Sequence, residues 1–228
     1  MTLNKESFAL KLNSIKSKLP VGSKLLLVSK TRSEEEIRAY YELGQRDFGE
    51  NRVQELMEKS EHLRTSCPEI RWHMIGSLQS NKINQLFLVT GLWAIHSVDD
   101  RGLLEKLIKT EGRLDSPLRL FLQFNTSKEV EKSGFEDYAS LKAAACLISP
   151  ASKIKLQGLM TMGTLRTEDF QTEARRCFHE LNELKAKLSQ DLGMPLETSM
   201  GMSQDYQIAL EEKSHWIRLG TMMFEGSL

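Results

Sequence analysis

The sequence predicts an eight-stranded (β/α)8 barrel with an extra helix at its N-terminal end. Eight short apolar runs indicate buried strands, and helical segments lie between consecutive strands, an alternation typical of a parallel sheet. The length of 228 residues fits the lower end of the range for such barrels. An open doubly wound sheet is the alternative, although eight strands exceed its usual six. No repeat or linker divides the chain, so we expect one domain over residues 1–228.

The first elements have the clearest signals. Apolar residues at helical spacing precede Pro20 and indicate the extra helix, which we expect to end there. Four consecutive apolar residues within 24–30 indicate the first strand. Ser33, followed by three glutamates, favours the start of a helix, and Gly44 favours its end.

The remaining strands and helices are predicted from the same patterns: apolar runs for strands, and apolar residues at helical spacing with capping residues for helices. Strands are predicted at 47–51, 71–76, 92–98, 118–124, 154–160, 196–200 and 216–222. Helices are predicted at 53–64 and 80–86, after a cap at Asp99 or Asp100, and at 135–148, 168–188 and 204–212, with none after the last strand.

Composition narrows the functional classes. Lys plus Arg and Asp plus Glu both total 31, so net charge favours neither nucleic acid nor an anionic membrane as a partner. Three widely spaced cysteines suit a reducing compartment. The N-terminal segment lacks the apolar centre of a signal peptide, and no run has the length of a membrane span. We therefore expect a cytoplasmic protein without a membrane or nucleic-acid partner.

Lys30 stands where the first strand reaches its carboxyl end, and (β/α)8 barrels build their active sites at these ends. We expect this side chain to lie half in the core. Burial disfavours a charged ammonium group, and a neutral amine attacks carbonyl carbons, including those of aldehyde cofactors. From this stretch alone, a lysine that extends to the surface is the commoner case.

A second candidate site follows the last two strands. The run from Ser199 through Gly201 to Ser203 precedes a helix, and Gly220 and Thr221 follow the eighth strand. Small residues and hydroxyl groups at this position indicate a phosphate cradle, by which we mean these five residues. A capped helix with small residues for tight packing explains the first run equally well.

Two further polar residues stand beside these positions. Arg218 alternates with apolar neighbours and could point into the barrel mouth towards a phosphate or a ring nitrogen, or outwards into an ion pair. Asn51 could bind a ligand hydroxyl or cap its helix. His73 and His96 lie in strands without a His-x-His pair, so we expect no metal site.

Six motifs in the same order resemble the YggS/PROSC family of pyridoxal 5′-phosphate (PLP) homeostasis proteins. They are LVSKT at 27–31, FGENRVQE at 48–55, WHMIGSLQSNK at 72–82, GLMTMG at 158–163, SMGMS at 199–203 and RLGT at 218–221. Two positions depart from the family pattern: Ser77 replaces a frequent His, and Glu225 replaces a frequent Gly.

The resemblance implies a barrel of PLP fold type III, similar to the barrel domain of alanine racemase. It implies PLP held as an internal aldimine on Lys30, with Asn51 near the phenolic oxygen and Arg218 near the phosphate or ring. The phosphate would lie among Ser199, Gly201, Ser203, Gly220 and Thr221.

The resemblance also implies a function in PLP supply without established catalytic turnover, so no catalytic residue is assigned. PLP-dependent apoenzymes are the possible recipients, and we expect a monomer, with a weak dimer as the alternative. A PLP-dependent amino-acid racemase is the alternative function. Racemases of this fold add a β domain whose tyrosine serves as the second acid/base, and only a few residues follow the eighth strand here.

Overall fold

The structure is a computed structural model that describes residues 5–129, 131–149, 152–164 and 167–225. The strands are β1 (Lys24–Val28), β2 (Asp47–Glu50), β3 (Arg71–Met74), β4 (Leu92–Val98), β5 (Leu118–Gln123), β6 (Ile154–Met160), β7 (Glu197–Ser199) and β8 (Trp216–Leu219). They form a closed parallel barrel in chain order, with β8 paired to β1. The barrel prediction is therefore confirmed, and the open doubly wound alternative is wrong.

Helices alternate with the strands around the barrel. They are α1 (Lys5–Lys16), α2 (Glu34–Glu42), α3 (Val53–Leu63), α4 (Ile83–Leu86), α5 (Arg101–Thr110), α6 (Tyr138–Ala145), α7 (Phe170–Leu192), α8 (Tyr206–Glu211) and α9 (Thr221–Phe224). Two of the helix starts predicted from capping residues are confirmed. Ser33 and Glu36 form a reciprocal capping box on α2, and Asp100 caps α5 through the Leu103 N–H.

Several element boundaries differ from the prediction, and three of these differences concern α1, α6 and the end of β8. Helix α1 ends at Lys16, well before Pro20. Helix α6 begins only after Asp137, because Phe135 forms an isolated parallel bridge with Phe124. Strand β8 ends at Leu219, and α9 follows it where no helix was predicted. A short apolar run at the end of the chain fits strand and helix equally well, so its pattern could not separate them.

The apolar core has two parts. The larger part lies between the barrel and its surrounding helices. The smaller part fills the barrel interior and consists of Leu26, Ala94, Phe121, Met160 and Trp216. Polar side chains also lie in this interior, and some of them belong to the site described below.

Helix α1 packs against the turn that follows β8. The Phe8 ring stacks on Tyr40 with 4.6 Å between centroids, and the Tyr40 hydroxyl donates to the Met223 carbonyl oxygen at 2.5 Å. The extra helix thereby supports α9 beside the carboxyl end of the barrel. Within the described ranges, no helix combines the length and apolar character needed to cross a membrane.

Candidate cofactor site

A cavity of about 400 Å³ opens at the carboxyl end of the barrel, and its size suits a small molecule. Six of the eight predicted site residues line it: Lys30, Asn51, Ser203, Arg218, Gly220 and Thr221. Strand ends that are distant in sequence converge there because parallel strands of a closed barrel finish at one edge.

Lys30 reaches this cavity but is exposed, so the expectation of a half-buried lysine is wrong. Strand β1 ends at Val28, and the Ser29 N–H makes one more bond, to the Gly49 carbonyl oxygen at 3.0 Å. Lys30 follows this bond and projects from the mouth of the barrel. The main chain therefore brings Lys30 to the cavity without burying its side chain in the core.

The main chain before Lys30 is held by buried charged groups. The Ser29 hydroxyl donates to Glu50 Oε1 at 2.6 Å, and Lys59 Nζ donates to the Ser29 carbonyl oxygen at 2.7 Å. Lys59 also pairs with the same Glu50 oxygen at 2.9 Å. Burial raises the pKa of Glu50, and the nearby Lys59 ammonium opposes this shift.

The main chain after Lys30 is held from the same cluster. Thr31 adopts a left-handed conformation with φ 61°, and its N–H donates to Glu55 Oε1 at 2.7 Å. Lys59 Nζ contacts this oxygen at 2.7 Å. Partial burial opposes ionisation of Glu55, but hydrogen bonds from Lys59 and the Thr31 N–H hold its pKa below the usual value. Lys30 thus sits between two anchored peptide groups.

The Arg218 side chain points into the barrel, as one of the two alternatives predicted, and the outward ion pair is wrong. Its Nη1 donates to Ser199 Oγ at 2.8 Å, and its Nη2 donates to the Thr161 carbonyl oxygen at 2.9 Å. Burial lowers the pKa of Arg218 to about 10, while Asp205 opposes the shift, so the guanidinium remains charged at neutral pH.

Two members of the predicted phosphate cradle lie behind the cavity instead of lining it. Ser199 is fully buried, and its hydroxyl contacts Arg218 and His96 Nδ1, the latter at 2.8 Å. Gly201 is buried with φ 94°, and a Cβ on it would lie 2.5 Å from the Cβ of Ala209. For Gly201 the structure supports the packing alternative, because the glycine lets α8 approach the strand.

Sequence reasoning missed Asp205, which lines the cavity and is 2% exposed. Its Oδ1 accepts the Met202 N–H at 2.6 Å and shapes the loop before α8, and its Oδ2 has no hydrogen-bond partner among the described residues. Burial raises the pKa of Asp205, while the Met202 N–H and Arg218 oppose the shift. An aspartate at the start of a helix was the available signal, but it indicates a cap more readily than a site.

Sequence reasoning also missed Asp47, which contacts one of the two strand histidines, and the contact between these histidines inside the barrel. His73 Nε2 lies 3.1 Å from Asp47 Oδ1, and His73 Nδ1 lies 2.9 Å from His96 Nε2. Burial lowers the pKa of both histidines, so both are neutral at pH 7. Within the described ranges, no group of three or more potential metal-ligating side chains is found.

Comparisons of the sequence with known proteins identify a family and several relatives. The family model described as alanine racemase, N-terminal domain, matches residues 3–227. A pyridoxal phosphate homeostasis protein of Caenorhabditis elegans is 36% identical over 207 residues, which are 88% of this chain and 84% of that protein. The human protein of the same name is 36% identical over 211 residues, which are 90% of this chain and 76% of that protein.

Solved structures with a similar fold include one protein of similar sequence and one more distant enzyme. PipY of Synechococcus elongatus, solved with PLP bound, has a TM-score of 0.84 at 36% identity and covers 96% of this chain and 100% of its own. Alanine racemase from E. faecalis has a TM-score of 0.73 at 15% identity, covering 97% of this chain and 58% of its own, and shows the fold alone. The predicted resemblance is confirmed: the chain belongs to the alanine racemase N-terminal domain family and, within it, to the YggS/PROSC group of pyridoxal phosphate homeostasis proteins.

Proposed function

We propose that this protein binds PLP in the cavity at the carboxyl end of the barrel, with Lys30 as the amine that bonds it. When bound, PLP supplies an aldehyde that condenses with a lysine amine and releases water. The observation that carries the proposal is the convergence of Lys30 and the charged, buried Arg218 on one cavity. An amine for the aldehyde and a fixed cation for an anionic or ring-nitrogen acceptor are the two groups that PLP requires.

The rest of the lining fits the other parts of the cofactor. Ser203 and Thr221 bring hydroxyl groups, and Gly220 brings its main chain to the rim of the same cavity. Asn51 lines the same cavity, and its amide is suited to the phenolic oxygen. Ser199 acts through Arg218 in this proposal, and Gly201 acts through the packing of the loop, so neither contacts the phosphate.

Peptide mapping after borohydride reduction tests the proposal. We expect the purified protein incubated with PLP to absorb in the visible range and to carry the reduced adduct on Lys30. Lys30→Ala should lose that adduct and keep part of its affinity through Arg218. Lys82→Ala is the matched control, because Lys82 is half-buried in the short turn after β3 and does not line the cavity.

The result that contradicts the proposal is an adduct of the unaltered protein on another lysine. Full retention of a reducible adduct by Lys30→Ala contradicts it as well. Loss of the adduct in the Lys82→Ala protein would move the assignment to that residue.

We further propose that the bound PLP is held and released to PLP-dependent apoenzymes without catalytic turnover. The exposed Lys30 supports this, because an open mouth lets water and an acceptor reach the bond, whereas PLP enzymes close their sites to water. Apart from Lys30 and Arg218, Asp205 is the ionisable side chain among the described lining residues, so the cavity offers a single carboxylate. Its Oδ1 accepts the Met202 N–H, and its Oδ2 has no hydrogen-bond partner among the described residues. A racemase needs acid/base groups on both faces of its substrate carbanion.

Two assays separate the carrier from the racemase. The PLP-loaded protein should activate an apo-aminotransferase faster than the same concentration of Lys30→Ala, and it should exchange no α-hydrogen of L-amino acids in deuterated water. Sustained α-deuterium exchange with stereochemical inversion would establish the racemase instead. Equal activation rates for the two proteins would contradict delivery.

A further inference from the structure

A chain of hydrogen bonds crosses the barrel interior from the cavity to the opposite mouth. Arg218 Nη1 lies 2.8 Å from Ser199 Oγ, which lies 2.8 Å from His96 Nδ1. His96 Nε2 lies 2.9 Å from His73 Nδ1, and His73 Nε2 lies 3.1 Å from Asp47 Oδ1. Asp47 is the first residue of β2 and therefore stands at the amino end of the barrel.

The chemistry of the end groups gives this chain one direction. A guanidinium group can only donate, and a carboxylate can only accept. His73 must therefore carry its proton on Nε2, which leaves Nδ1 to accept from His96 Nε2–H. His96 Nδ1 then accepts the Ser199 O–H, and the serine oxygen accepts Arg218 Nη1–H. The carboxylate end determines this assignment, and the serine hydroxyl can follow it because its oxygen accepts from Arg218 while its O–H donates to His96. Every donor in the chain then faces a matching acceptor.

The surroundings leave these groups little freedom to turn. Asp47, His73, His96, Ser199 and Arg218 are each at most 7% exposed. The His96 ring stacks on Phe121 with 4.2 Å between centroids, and the His73 ring packs against Trp216 at 5.2 Å. Buried rings held on their faces change orientation only if their neighbours move.

Arg71 fixes the far end of the chain. Its Nε donates to Asp47 Oδ1 at 2.7 Å and its Nη2 donates to Oδ2 at 2.6 Å, a bidentate pair. The Arg71 side chain is 47% exposed, so this anchor lies at the surface of the opposite mouth. The Asp47 carboxylate at the end of the hydrogen-bond chain is thereby held in one orientation.

We propose that Asp47 is a positioning residue for Arg218 and determines, through His73, His96 and Ser199, which N–H groups Arg218 presents to the cavity. Nη1 is committed to Ser199 and Nη2 to Thr161, so two of the five N–H groups are directed away from a ligand. The remaining three have a fixed direction because the first two are tied. The effect on ligand binding rests on the proposed function. The hydrogen bonds themselves are present in the protein without PLP.

Histidine tautomers test the chain directly. In the unaltered protein without PLP, ¹⁵N NMR should show the neutral Nε2–H tautomer for both His73 and His96. The sequence has five histidines, so the signals can be assigned by substituting the other three. This measurement does not depend on PLP binding, so it stands even if the proposed function fails.

The variant Asp47→Asn tests the positioning role. The amide cannot satisfy both Arg71 and His73 as the carboxylate does, since turning its NH2 group to His73 reverses the preferred tautomer along the chain. We expect mixed tautomers at His96 as well as at His73. The PLP dissociation constant should rise on the order of tenfold, by analogy with the hydrogen-bonded partners of metal ligands. Glu69→Gln is the matched control near the same mouth, because Glu69 lies two residues before β3 and pairs with Arg46 at 3.0 Å, outside the chain of hydrogen bonds. It should leave both readouts unchanged.

Three results would overturn the inference. One is an Nδ1–H tautomer of His73 or His96 in the unaltered protein, and another is an Asp47→Asn protein with the PLP affinity of the unaltered one. The third result needs a second variant, for the case that Asp47→Asn does not fold. Arg71→Gln changes a half-exposed side chain and should shift both readouts in the same direction as Asp47→Asn, but by less. The third is an Arg71→Gln protein with both readouts unchanged.

Discussion

Single residues at the site divide into those that touch the cavity and those that shape it. Lys30, Arg218 and Thr221 line the cavity, whereas Gly201 lies behind it against α8. A motif in the sequence does not distinguish these two roles, because a small residue beside a helix start suits both. Gly201 offers a direct test of the packing role.

Gly201→Ala should destabilise the protein by about 2–4 kcal/mol, because strain at positive φ and overpacking against Ala209 add together. Gly193→Ala is the matched control: its φ is also positive, at 64°, but a Cβ there would meet nothing within 4 Å. It should cost about 1 kcal/mol, the conformational cost alone. Urea unfolding measures both, and equal losses would contradict the packing role of Gly201.

At the scale of elements, the cluster of Glu50, Glu55 and Lys59 joins β2 and α3 to the end of β1. It contacts the residues on both sides of Lys30, and Lys59 is 7% exposed. Glu50 Oε2 has no hydrogen-bond partner among the described residues, so this carboxylate depends on Lys59 for its charge compensation. The FGENRVQE motif extends through β2 into α3 and supplies both carboxylates of this cluster.

Lys59→Met should destabilise the protein by about 3–5 kcal/mol, because it leaves a buried carboxylate without its counter-charge. It should also slow the bonding of PLP, since Ser29 and Thr31 lose their shared anchor. Stability from urea unfolding and the rate of absorbance change on adding PLP give the two readouts.

Arg64→Gln is the control, because the exposed pair of Arg64 and Glu61 at 3.6 Å should contribute at most about 1 kcal/mol. The double variant Lys59→Met with Glu50→Gln should recover part of the lost stability, since the buried charge is gone. A single Lys59→Met variant as stable as the Arg64→Gln protein would contradict the role assigned to the cluster.

At the scale of the whole molecule, the buried histidines link stability to pH. The folded state holds His73 and His96 neutral, with pKa values below the usual value of about 6.5, because burial disfavours the imidazolium form. Below about pH 6.5 the unfolded chain binds these protons and the folded protein does not. Stability is therefore present above this pH and is lost as the pH falls through it.

We expect the free energy of unfolding to decrease between pH 7.5 and pH 5.5, with a slope of up to about 1.4 kcal/mol per pH unit for each histidine. Carboxylates with lowered pKa, such as Asp47, contribute to acid sensitivity only at lower pH. Urea titrations at several pH values measure the slope. His62→Gln is the control, because this exposed histidine has a raised pKa beside Glu34 and cannot cause the loss. Glu50 and Asp205 act in the opposite direction where they protonate, because burial raises the pKa of both carboxyl groups. A slope that His96→Gln leaves unchanged would therefore contradict the neutral, buried state of the histidine pair.

Much of the fold was predictable because its signals are local. Apolar runs located all eight strands, and the caps at Ser33 and Asp100 located the starts of two helices. The boundaries at α6 and α9 failed because a bridge at Phe135 and one helical turn after β8 depend on contacts with distant segments. Of the site, the sequence predicted six residues that line the cavity, since the carboxyl ends of parallel strands meet at one edge.

The sequence by itself determined the alternation of strands and helices and the edge at which the site forms. Periodicity and turn residues act over a few positions, and parallel pairing then brings the strand ends together. Only the tertiary structure decided that Lys30 is exposed, that Arg218 points inwards and that Ser199 and Gly201 stand behind the cavity. It also decided the chain from Asp47 through His73 and His96, because side-chain direction inside a barrel depends on closure between strands far apart in sequence.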